Sequence, residues 1–332
     1  MKVLIVKRDK LGDLLLTTPM LAHLKASRPQ AEVHLLANDY NAWVVEGNRH
    51  IDRLWVYSRV RHGGKVRIAA AFQNLALHWK LRRKRFDWVI VANGEYSPRA
   101  VRRALAVRGA RSVAYGASNV SDPLPLAPGV HEMDRLLAML APLGIAAPAN
   151  PPWPHYVLSN PSRAFAVRWL KERKITNFIV LGLGARRQKK QPSTEQVLRW
   201  SAHFKRAWGL DTLFMWTPGR SADPLYPGDD AIAQPVLDAR APQIHPFRGP
   251  ILEALGLLWR ARTSIFPDSG LMHFAAASPG GVLGLFAESD VSPGPVNWAP
   301  RGPKALWLEA EKAVAELPDA LVYEQVERLV SL

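Results

Sequence analysis

The sequence predicts an α/β protein built from two doubly wound halves. Short apolar, β-branched runs alternate with longer helical segments along the chain, which is typical of parallel sheets covered by helices. The alternation is interrupted by the Pro- and Ala-rich segment 145–161, and it then starts again. We therefore expect two Rossmann-like domains joined by a linker at this segment.

In the first half, strands and helices alternate from the N-terminus up to the linker. The predicted strands cover residues 2–6, 32–37, 53–57, 87–92 and 112–115. The predicted helices cover residues 14–27, 68–85, 97–106 and 132–143. Pro19 is tolerated only near a helix start, so the first of these helices is also compatible with a start at Thr17 or Thr18.

The second half repeats this alternation, and a terminal amphipathic helix follows it. The predicted strands cover residues 177–181, 211–216, 263–266, 282–286 and 303–308. The predicted helices cover residues 162–173, 194–208, 251–261, 271–277 and 317–332. Residues 223–238 show little periodicity. The expected domains are residues 1–155, residues 156–316 and a separate final helix, 317–332.

The composition is that of a soluble globular protein. Hydrophobic residues make up 48% of the 332 residues, and charged residues make up 22%. No window approaches the roughly 18 uninterrupted apolar residues of a spanning helix. Charged residues also interrupt the N-terminal segment, which a signal peptide would keep apolar. The absence of cysteine excludes disulfides and thiolate chemistry. Together these features predict a cytoplasmic protein.

Positive charge is concentrated in the first half of the chain. The formal net charge is +16, and residues 61–120 hold 13 Lys and Arg against two acids, Asp87 and Glu95. Such a field attracts nucleic acid, an anionic membrane face or an acidic substrate. The alternative is that an Arg-rich surface serves solubility alone. Several of the 12 Trp flank this region, which suits a membrane interface, although most Trp are core residues.

The stretch 266–286 carries the clearest candidate site. A strand end is followed by the turn 267–270, a helix and a second apolar strand. In an open α/β sheet this puts the turn at the carboxyl edge of the strands, where ligands bind, and the first helical amides favour an anion such as phosphate. The turn residues Asp268, Ser269 and Gly270 and the side chain of His273 are therefore expected to face the same point at this edge of the sheet. The structural alternative is an Asp helix cap and a half-buried His.

Two further turns follow predicted strands. Lys10, Gly12 and Asp13 lie in the turn after the first strand, which lacks the G-x-G-x-x-G fingerprint, so a dinucleotide is disfavoured there. The loop 182–192 is rich in glycine and carries four cations. Glycine lets the backbone approach a phosphate, and Lys or Arg neutralises it. A solvated basic loop is the alternative interpretation.

Three motifs occur in one order along the chain. They are Lys10-Leu11-Gly12-Asp13 with Thr17-Thr18-Pro19, Gly184 with Lys189-Lys190-Gln191-Pro192, and Asp268-Ser269-Gly270-Leu271-Met272-His273. In this order and spacing they resemble the lipopolysaccharide heptosyltransferase family, glycosyltransferase family 9, over nearly the whole chain. The resemblance implies a GT-B fold, in which two Rossmann-like domains face a central cleft, with the nucleotide-sugar on the C-terminal domain and the acceptor on the N-terminal one. It also implies that the C-terminal helix packs back on the N-terminal domain.

The resemblance assigns roles to individual residues. It implies that Asp13 is the catalytic base, and that Lys189, three residues before the motif proline, contacts donor phosphate. The implied donor-site residues are Lys189, Asp268, Ser269, Gly270, Leu271, His273, Gly184 and Thr217. The implied acceptor-site residues are Lys10, Gly12, Thr17, Asn93 and Arg99.

The chain departs from the family pattern at three places. Gln191 stands where an aromatic residue is common, and Ser269 stands where Thr is common. The loop after Trp216 has no clear Glu for a ribose hydroxyl, and Asp223 is the substitute available there. These departures bear on the identity of the donor rather than on the reaction class.

The expected chemistry is transfer of a sugar from a nucleoside diphosphate with inversion and without a metal. Such a transfer needs a base for the acceptor hydroxyl and positive charge for the departing diphosphate. The sequence has no D-x-D pair, so a carboxylate-held metal is not evident. The expected sources of positive charge are Lys189, its neighbours Arg186, Arg187 and Lys190, and the amides after Asp268. A single carboxylate base, with no second nucleophilic carboxylate nearby, favours direct displacement of the diphosphate by the acceptor hydroxyl.

We expect ADP-heptose as co-substrate, no other cofactor, and a phosphorylated, lipid-linked glycan acceptor on the cytoplasmic face of the inner membrane. The basic N-terminal domain would then bind the acceptor and the anionic membrane surface. Three alternatives stay open: another nucleotide-sugar and glycan, a non-catalytic GT-B scaffold, and a nucleic-acid-binding protein. The last has only charge in its favour, because the sequence has no recognisable nucleic-acid motif.

Overall fold

The chain divides into two compact units, Met1–Val157 and Leu158–Leu332. The computed structural model describes residues 1–8, 10–62, 65–185, 187–223, 228–291 and 294–331, without the side chains of 61, 62, 65 and 66. Arg186, one of the cations considered for the donor phosphate, lies outside the described residues. The predicted domain border after residue 155 lies next to the observed division.

The first unit is built on a parallel sheet. Its elements in chain order are β1 (Lys2–Val6), α1 (Leu11–Leu15), α2 (Thr18–Ser27), β2 (Glu32–Asn38), β3 (Arg53–Tyr57), β4 (Arg61–His62), β5 (Lys65–Val66), α3 (Ile68–Arg83), β6 (Trp88–Val91), α4 (Pro98–Leu105), β7 (Arg111–Tyr115), β8 (Asp122–Leu124) and α5 (Glu132–Ala138). The described strands pair in the order β3-β2-β1-β6-β7-β8, and each pair is parallel. β4 and β5 form a separate antiparallel hairpin. The strand order reverses between β1 and β6, so their carboxyl ends form the topological switch point.

The second unit repeats this architecture. Its elements in chain order are α6 (Asn160–Glu172), β9 (Phe178–Gly182), α7 (Thr194–Trp208), β10 (Asp211–Met215), α8 (Asp230–Asp238), β11 (Ile244–Phe247), α9 (Ile251–Leu258), β12 (Ser264–Pro267), α10 (Gly270–Ala276), β13 (Val282–Ala287), α11 (Pro295–Trp298), β14 (Ala305–Ala310) and α12 (Asp319–Ser331). The described strands pair in the order β11-β10-β9-β12-β13-β14, again all parallel. The switch point of this sheet lies between β9 and β12.

Helices bury the central strands of both sheets. The strands β1, β9 and β13 read KVLIV, FIVLG and VLGLFA and are buried almost throughout. Strands covered on both faces are continuously apolar rather than alternating, which is why short apolar runs predicted them. In the first unit, Leu81 of α3 and Ala100 of α4 join one core with Leu4 and Val6 of β1. No helix in the described part of the chain has the length and apolar character needed to cross a membrane.

Several elements differ from the sequence prediction, among them β4, β5, α8 and α11, which were not predicted. Residues 11–15 form the short helix α1 where a turn was expected, because Leu11, Leu14 and Leu15 are buried beneath it. The following helix α2 starts at Thr18 with proline in its first turn, which was one of the predicted starts. The strands β8 and β11 were not predicted. Both contain proline (DPL and IHPF) and lie at sheet edges, where a missing backbone donor is tolerated.

The terminal helix α12 packs within the second unit. Its buried residues Val322, Val326 and Leu329 share one core with Trp200 of α7. The indole Nε1 of Trp200 donates to Oδ1 of Asp319 at 2.6 Å, which holds the start of the helix. The predicted separate final helix, 317–332, is therefore part of the second unit, and its apolar side is buried in the core of that unit.

Candidate active site

The switch point of the second sheet brings two of the predicted loops together. β9 and β12 are neighbours there, with Ile265 opposite Leu181. The Gly-rich basic loop follows β9, and the Asp268 turn follows β12, as the sequence predicted. A Cβ at Gly182 would overlap the ring of Phe266. Glycine at the end of β9 is therefore required by the close packing of these two strands.

A buried lysine connects the two loops. The Nζ of Lys190 lies 2.8 Å from Oδ2 of Asp268, and only 3% of the Lys190 side chain is exposed. Lys189, to which the resemblance assigns the donor phosphate, lies elsewhere: its side chain is 64% exposed and its Nζ is 3.3 Å from Oε1 of Glu288. Both lysines end the 3-10 helix Gln188–Lys190, in which neighbouring side chains are about 120° apart. The two side chains therefore point in different directions, and Lys190 is the one that meets Asp268.

Two polar atoms beside this ion pair have no hydrogen-bond partner among the described residues. They are Oγ of Ser269 and Nδ1 of His273. Ser269 occupies the N-cap position of α10 but makes no capping bond, and Gly270 and Leu271 form the first turn between it and His273. Burial lowers the pKa of the His273 imidazole from 6.5 to about 4, so the ring is neutral at pH 7. Most buried polar atoms in proteins are satisfied, so these two are suited to a ligand.

Gln191 ties the basic loop to a neighbouring strand end. Its Nε2 donates to the carbonyl oxygen of Ala185 at 3.1 Å and to Oδ1 of Asp229 at 2.8 Å. Oδ2 of Asp229 accepts a hydrogen bond from the Thr217 amide at 3.2 Å. A Cβ on Gly184 would lie 3.5 Å from Oγ1 of Thr217, so these two predicted donor residues adjoin each other. The departure from an aromatic residue at position 191 thus gives the loop a polar anchor.

Asp229 is the buried carboxylate of the loop after β10, and sequence reasoning missed it. Burial raises the pKa of its carboxyl group. Asp223, which was considered for a ribose hydroxyl, is exposed. Asp229 precedes a helix, which is an ordinary capping position for Asp, so nothing in the local pattern marks it as the partner of Gln191. No group of three or more His, Asp or Glu suited to hold a metal ion occurs among the described residues.

The first sheet presents Asp13 beyond the carboxyl end of β1. Oδ2 of Asp13 accepts a hydrogen bond from the Lys10 amide at 3.0 Å and so caps α1, while no described residue donates to Oδ1. Thr17 is fully buried, and its hydroxyl donates to the Asp13 carbonyl oxygen at 3.0 Å, which fastens α1 to α2. Gly12 is also buried, whereas Lys10 and Arg99 are exposed.

A second buried ion pair, which sequence reasoning missed, lies at this edge. Lys7 follows β1 directly, is fully buried, and has its Nζ 3.4 Å from Oε1 of Glu132. The same carboxylate oxygen accepts a hydrogen bond from the Gly94 amide at 3.1 Å, and Arg135 donates to the Gly94 carbonyl oxygen at 3.2 Å. Asn93, a predicted acceptor residue, is buried beside them. The pair therefore holds the loop after β6 against α5.

Comparison with known proteins identifies the class to which this arrangement belongs. The sequence model of glycosyltransferase family 9 (heptosyltransferase) matches residues 74–316. The chain belongs to glycosyltransferase family 9. It is a glycosyltransferase, as its three motifs predicted. The chain is also 28% identical over 298 residues to lipopolysaccharide heptosyltransferase 3 of Escherichia coli K12, an alignment that covers 84% of this chain and 80% of that protein.

Solved structures of the family share the fold of the chain over its full length. A family 9 glycosyltransferase from Veillonella parvula matches with a TM-score of 0.79 at 18% identity, covering 99% of this chain and 97% of that one. The E. coli ADP-heptose lipopolysaccharide heptosyltransferase II matches with a TM-score of 0.77 at 16% identity, covering 100% and 99%. At these identities the comparison concerns the fold, and it confirms the predicted α/β GT-B class.

Proposed function

We propose that this glycosyltransferase transfers a heptose from ADP-heptose to a phosphorylated lipopolysaccharide-core acceptor with inversion at the anomeric carbon. The observation that carries the proposal is the pairing of buried Lys190 with the partly exposed Asp268, beside Ser269 Oγ and His273 Nδ1, which have no hydrogen-bond partner among the described residues. The names of the similar E. coli proteins include lipopolysaccharide heptosyltransferase and ADP-heptose, which supports this choice of donor and acceptor.

The second unit offers the groups that a departing nucleoside diphosphate requires. Breaking the bond between sugar and diphosphate develops negative charge on a phosphate oxygen, which needs a nearby cation and hydrogen-bond donors. Lys190 supplies the cation in a buried setting, where its interaction with phosphate is stronger than in water. Asp268 holds that ammonium group in position. The hydroxyl of Ser269 and the neutral imidazole of His273 supply further hydrogen bonds.

Asp13 is the proposed general base. Its Oδ1 takes the proton of the acceptor hydroxyl, whose oxygen forms the new bond to the anomeric carbon. The bond between that carbon and the diphosphate oxygen breaks, and its electron pair leaves with ADP. Attack and departure occur on opposite faces, so the configuration inverts. The hydrogen bond from the Lys10 amide to Oδ2 fixes the carboxylate in one orientation.

The acceptor contacts of Lys10, Gly12, Thr17, Asn93 and Arg99 stay predictions. The exposed cations Lys10 and Arg99 are suited to phosphate groups on the acceptor. Thr17 contributes in a different way, because its buried hydroxyl holds the backbone that carries the base. We propose that the acceptor is lipid-linked and that the enzyme works at the cytoplasmic face of the inner membrane.

A thermal-shift screen against ADP, UDP, GDP, CMP and ADP-heptose tests the donor. We expect ADP and ADP-heptose to raise the Tm, because mass action stabilises the form that binds them. Asp268→Asn should abolish the response. Asp211→Asn is a matched control, because Asp211 also accepts from a lysine at 2.8 Å in the same unit but lies at the start of a strand. The control should respond like the unaltered protein.

The other outcomes of the screen separate the alternatives. A response to UDP or GDP in place of ADP would keep the reaction class and replace the donor. No response to any nucleotide would contradict the proposed function and favour a non-catalytic scaffold. With the donor established, an acceptor search would use Asp13→Asn as the inactive enzyme.

A further inference from the structure

Helix α3 has two apolar faces, and only one of them is packed. Ala70, Asn74 and Leu81 are buried on the inner face. On the other face stand four large apolar side chains that are mostly exposed: Ile68 (68%), Phe72 (69%), Leu75 (69%) and Trp79 (57%). We call these four residues the outer stripe. None of them belongs to the candidate active site.

The outer stripe is continuous along one side of the helix. At 100° per residue, its four positions fall within an arc of about 60°, and they extend over about 16 Å. At the same 100° per residue, the buried positions 70, 74 and 81 lie on the opposite side of the helix. Single exposed apolar residues are normal on a protein surface, but a continuous stripe of large ones marks an interaction site.

Cations stand at both ends of the outer stripe. They are Arg67 before the helix, Lys80, Arg82 and Arg83 in its last turn, and Lys84 and Arg85 after it. No acid occurs between residues 67 and 86. The guanidinium carbon of Arg83 lies 4.5 Å from the centroid of the Trp79 ring, so a charge is fixed at the aromatic end of the stripe.

We propose that the outer stripe of α3 docks on an anionic lipid bilayer, with its apolar side chains among the upper acyl chains and the surrounding cations on lipid phosphates. Apolar and aromatic residues flanked by Lys and Arg are the pattern of helices that lie in a membrane interface. Trp in particular favours that interface. This surface rests on the membrane location of the proposed function and specifies which part of the chain meets the bilayer, and it does not depend on the identity of the donor.

The charges favour a bilayer over a second copy of the chain. A symmetric dimer through the outer stripe would bring two strongly basic segments together, because residues 61–120 of each copy hold 13 Lys and Arg against two acids. An anionic bilayer instead attracts each Lys or Arg that comes near its surface. The occupant that complements both the apolar stripe and its cationic border is therefore an anionic bilayer.

A single fluorophore on α3 tests the docking directly. The chain has no cysteine, so Leu75→Cys gives the full-length protein one thiol for the environment-sensitive dye NBD. Vesicles of phosphatidylglycerol and phosphatidylethanolamine should shift the emission to the blue and raise it about twofold or more, whereas phosphatidylcholine vesicles should do so weakly. Leu252→Cys on α9, also exposed at 43%, is the matched control and should show no shift.

Vesicle co-sedimentation separates the apolar and the charged contributions. Phe72→Ser with Trp79→Ser should lower the partition coefficient about tenfold or more. Lys80→Gln with Arg83→Gln should weaken the preference for anionic lipid, and raising the salt concentration should weaken the binding of the unaltered protein. The exposed pair Arg168→Gln with Lys171→Gln on α6 serves as the charge control and should have no effect.

Three results would overturn the proposal. The first is an equal NBD response at positions 75 and 252. The second is a blue shift without vesicles that grows with protein concentration, which would indicate a second copy on the stripe. The third is unchanged co-sedimentation of both the Phe72/Trp79 variant and the Lys80/Arg83 variant. Their nucleotide thermal shifts should equal those of the unaltered protein, which keeps this test separate from that of the proposed reaction.

Discussion

The two sheets have the same strand order, but a buried ion pair serves different purposes at their two switch points. In the first unit, Lys7 and Glu132 are joined to the backbone of Gly94 by a hydrogen bond. In the second, Lys190 and Asp268 lie beside two polar atoms for which the described part of the chain offers no hydrogen-bond partner. Burial of a charge pair alone does not identify a functional site. The neighbours of the pair decide whether it fastens the fold or receives a ligand.

Removal of the base should have the largest effect on activity. Asn at position 13 keeps the shape of the side chain and still accepts the Lys10 amide hydrogen bond, but it cannot take a proton. We expect Asp13→Asn to lower kcat about 1,000-fold, which is within the range of general base catalysis. ADP affinity and Tm should change little. A variant with normal kcat would contradict the role of Asp13 and leave only its capping function.

The next largest effect should be a loss of stability in the first unit. Lys7→Met leaves the buried Glu132 carboxylate without its ammonium partner, which should lower the free energy of unfolding by about 3 kcal/mol. The measurement is urea denaturation of the full chain. Lys190→Met should cost less, because the Asp268 side chain is 24% exposed and remains hydrated. If Lys7→Met and Lys190→Met lowered the free energy of unfolding equally, the proposed difference between the Lys7–Glu132 and Lys190–Asp268 pairs would be contradicted.

A smaller effect should appear in the pH dependence of stability. The pKa of His273 is about 4 in the folded chain and 6.5 in the reference state, so between these values the unfolded chain binds more protons. Stability should therefore fall as the pH falls, by about 2 kcal/mol between pH 7 and pH 5. His273→Gln should remove this component in urea denaturation at the two pH values. The control His155→Gln, at an exposed histidine, should leave this pH-dependent component in place. If His273→Gln kept the pH slope of the unaltered protein, a neutral, buried imidazole at position 273 would be contradicted.

Local pattern was sufficient to predict the Asp268 turn but not its partner. The apolar strand, the turn and the short helix that form it are contiguous in sequence. Which lysine meets Asp268 depends on the phase of a 3-10 helix, because Lys189 and Lys190 are adjacent and chemically alike. Lys7 and Glu132 are 125 positions apart, and an acid in a first helical turn is ordinary. Contacts of this kind follow from tertiary structure.

The outer stripe of α3 shows a second limit of sequence reasoning. Apolar residues at positions 68, 72, 75 and 79 have the spacing of a core-facing helix. The opposite face, with Ala70 and Leu81, carries the same spacing. Periodicity predicted the helix correctly, but it does not reveal which of two apolar faces meets the sheet. Only the packed structure distinguishes them.

The most direct test of the donor site is a calorimetric titration of ADP into Lys190→Met and Lys189→Met. The two variants make the same change at adjacent positions, one buried beside Asp268 and one exposed beside Glu288. We predict that Lys190→Met weakens ADP binding about tenfold or more, because a charge-assisted bond to phosphate is lost. Lys189→Met should stay within about twofold of the unaltered protein, as a surface cation contributes little. If Lys189→Met weakened ADP binding more than Lys190→Met, the account would be contradicted, and Lys189 would be the lysine that contacts the donor phosphate.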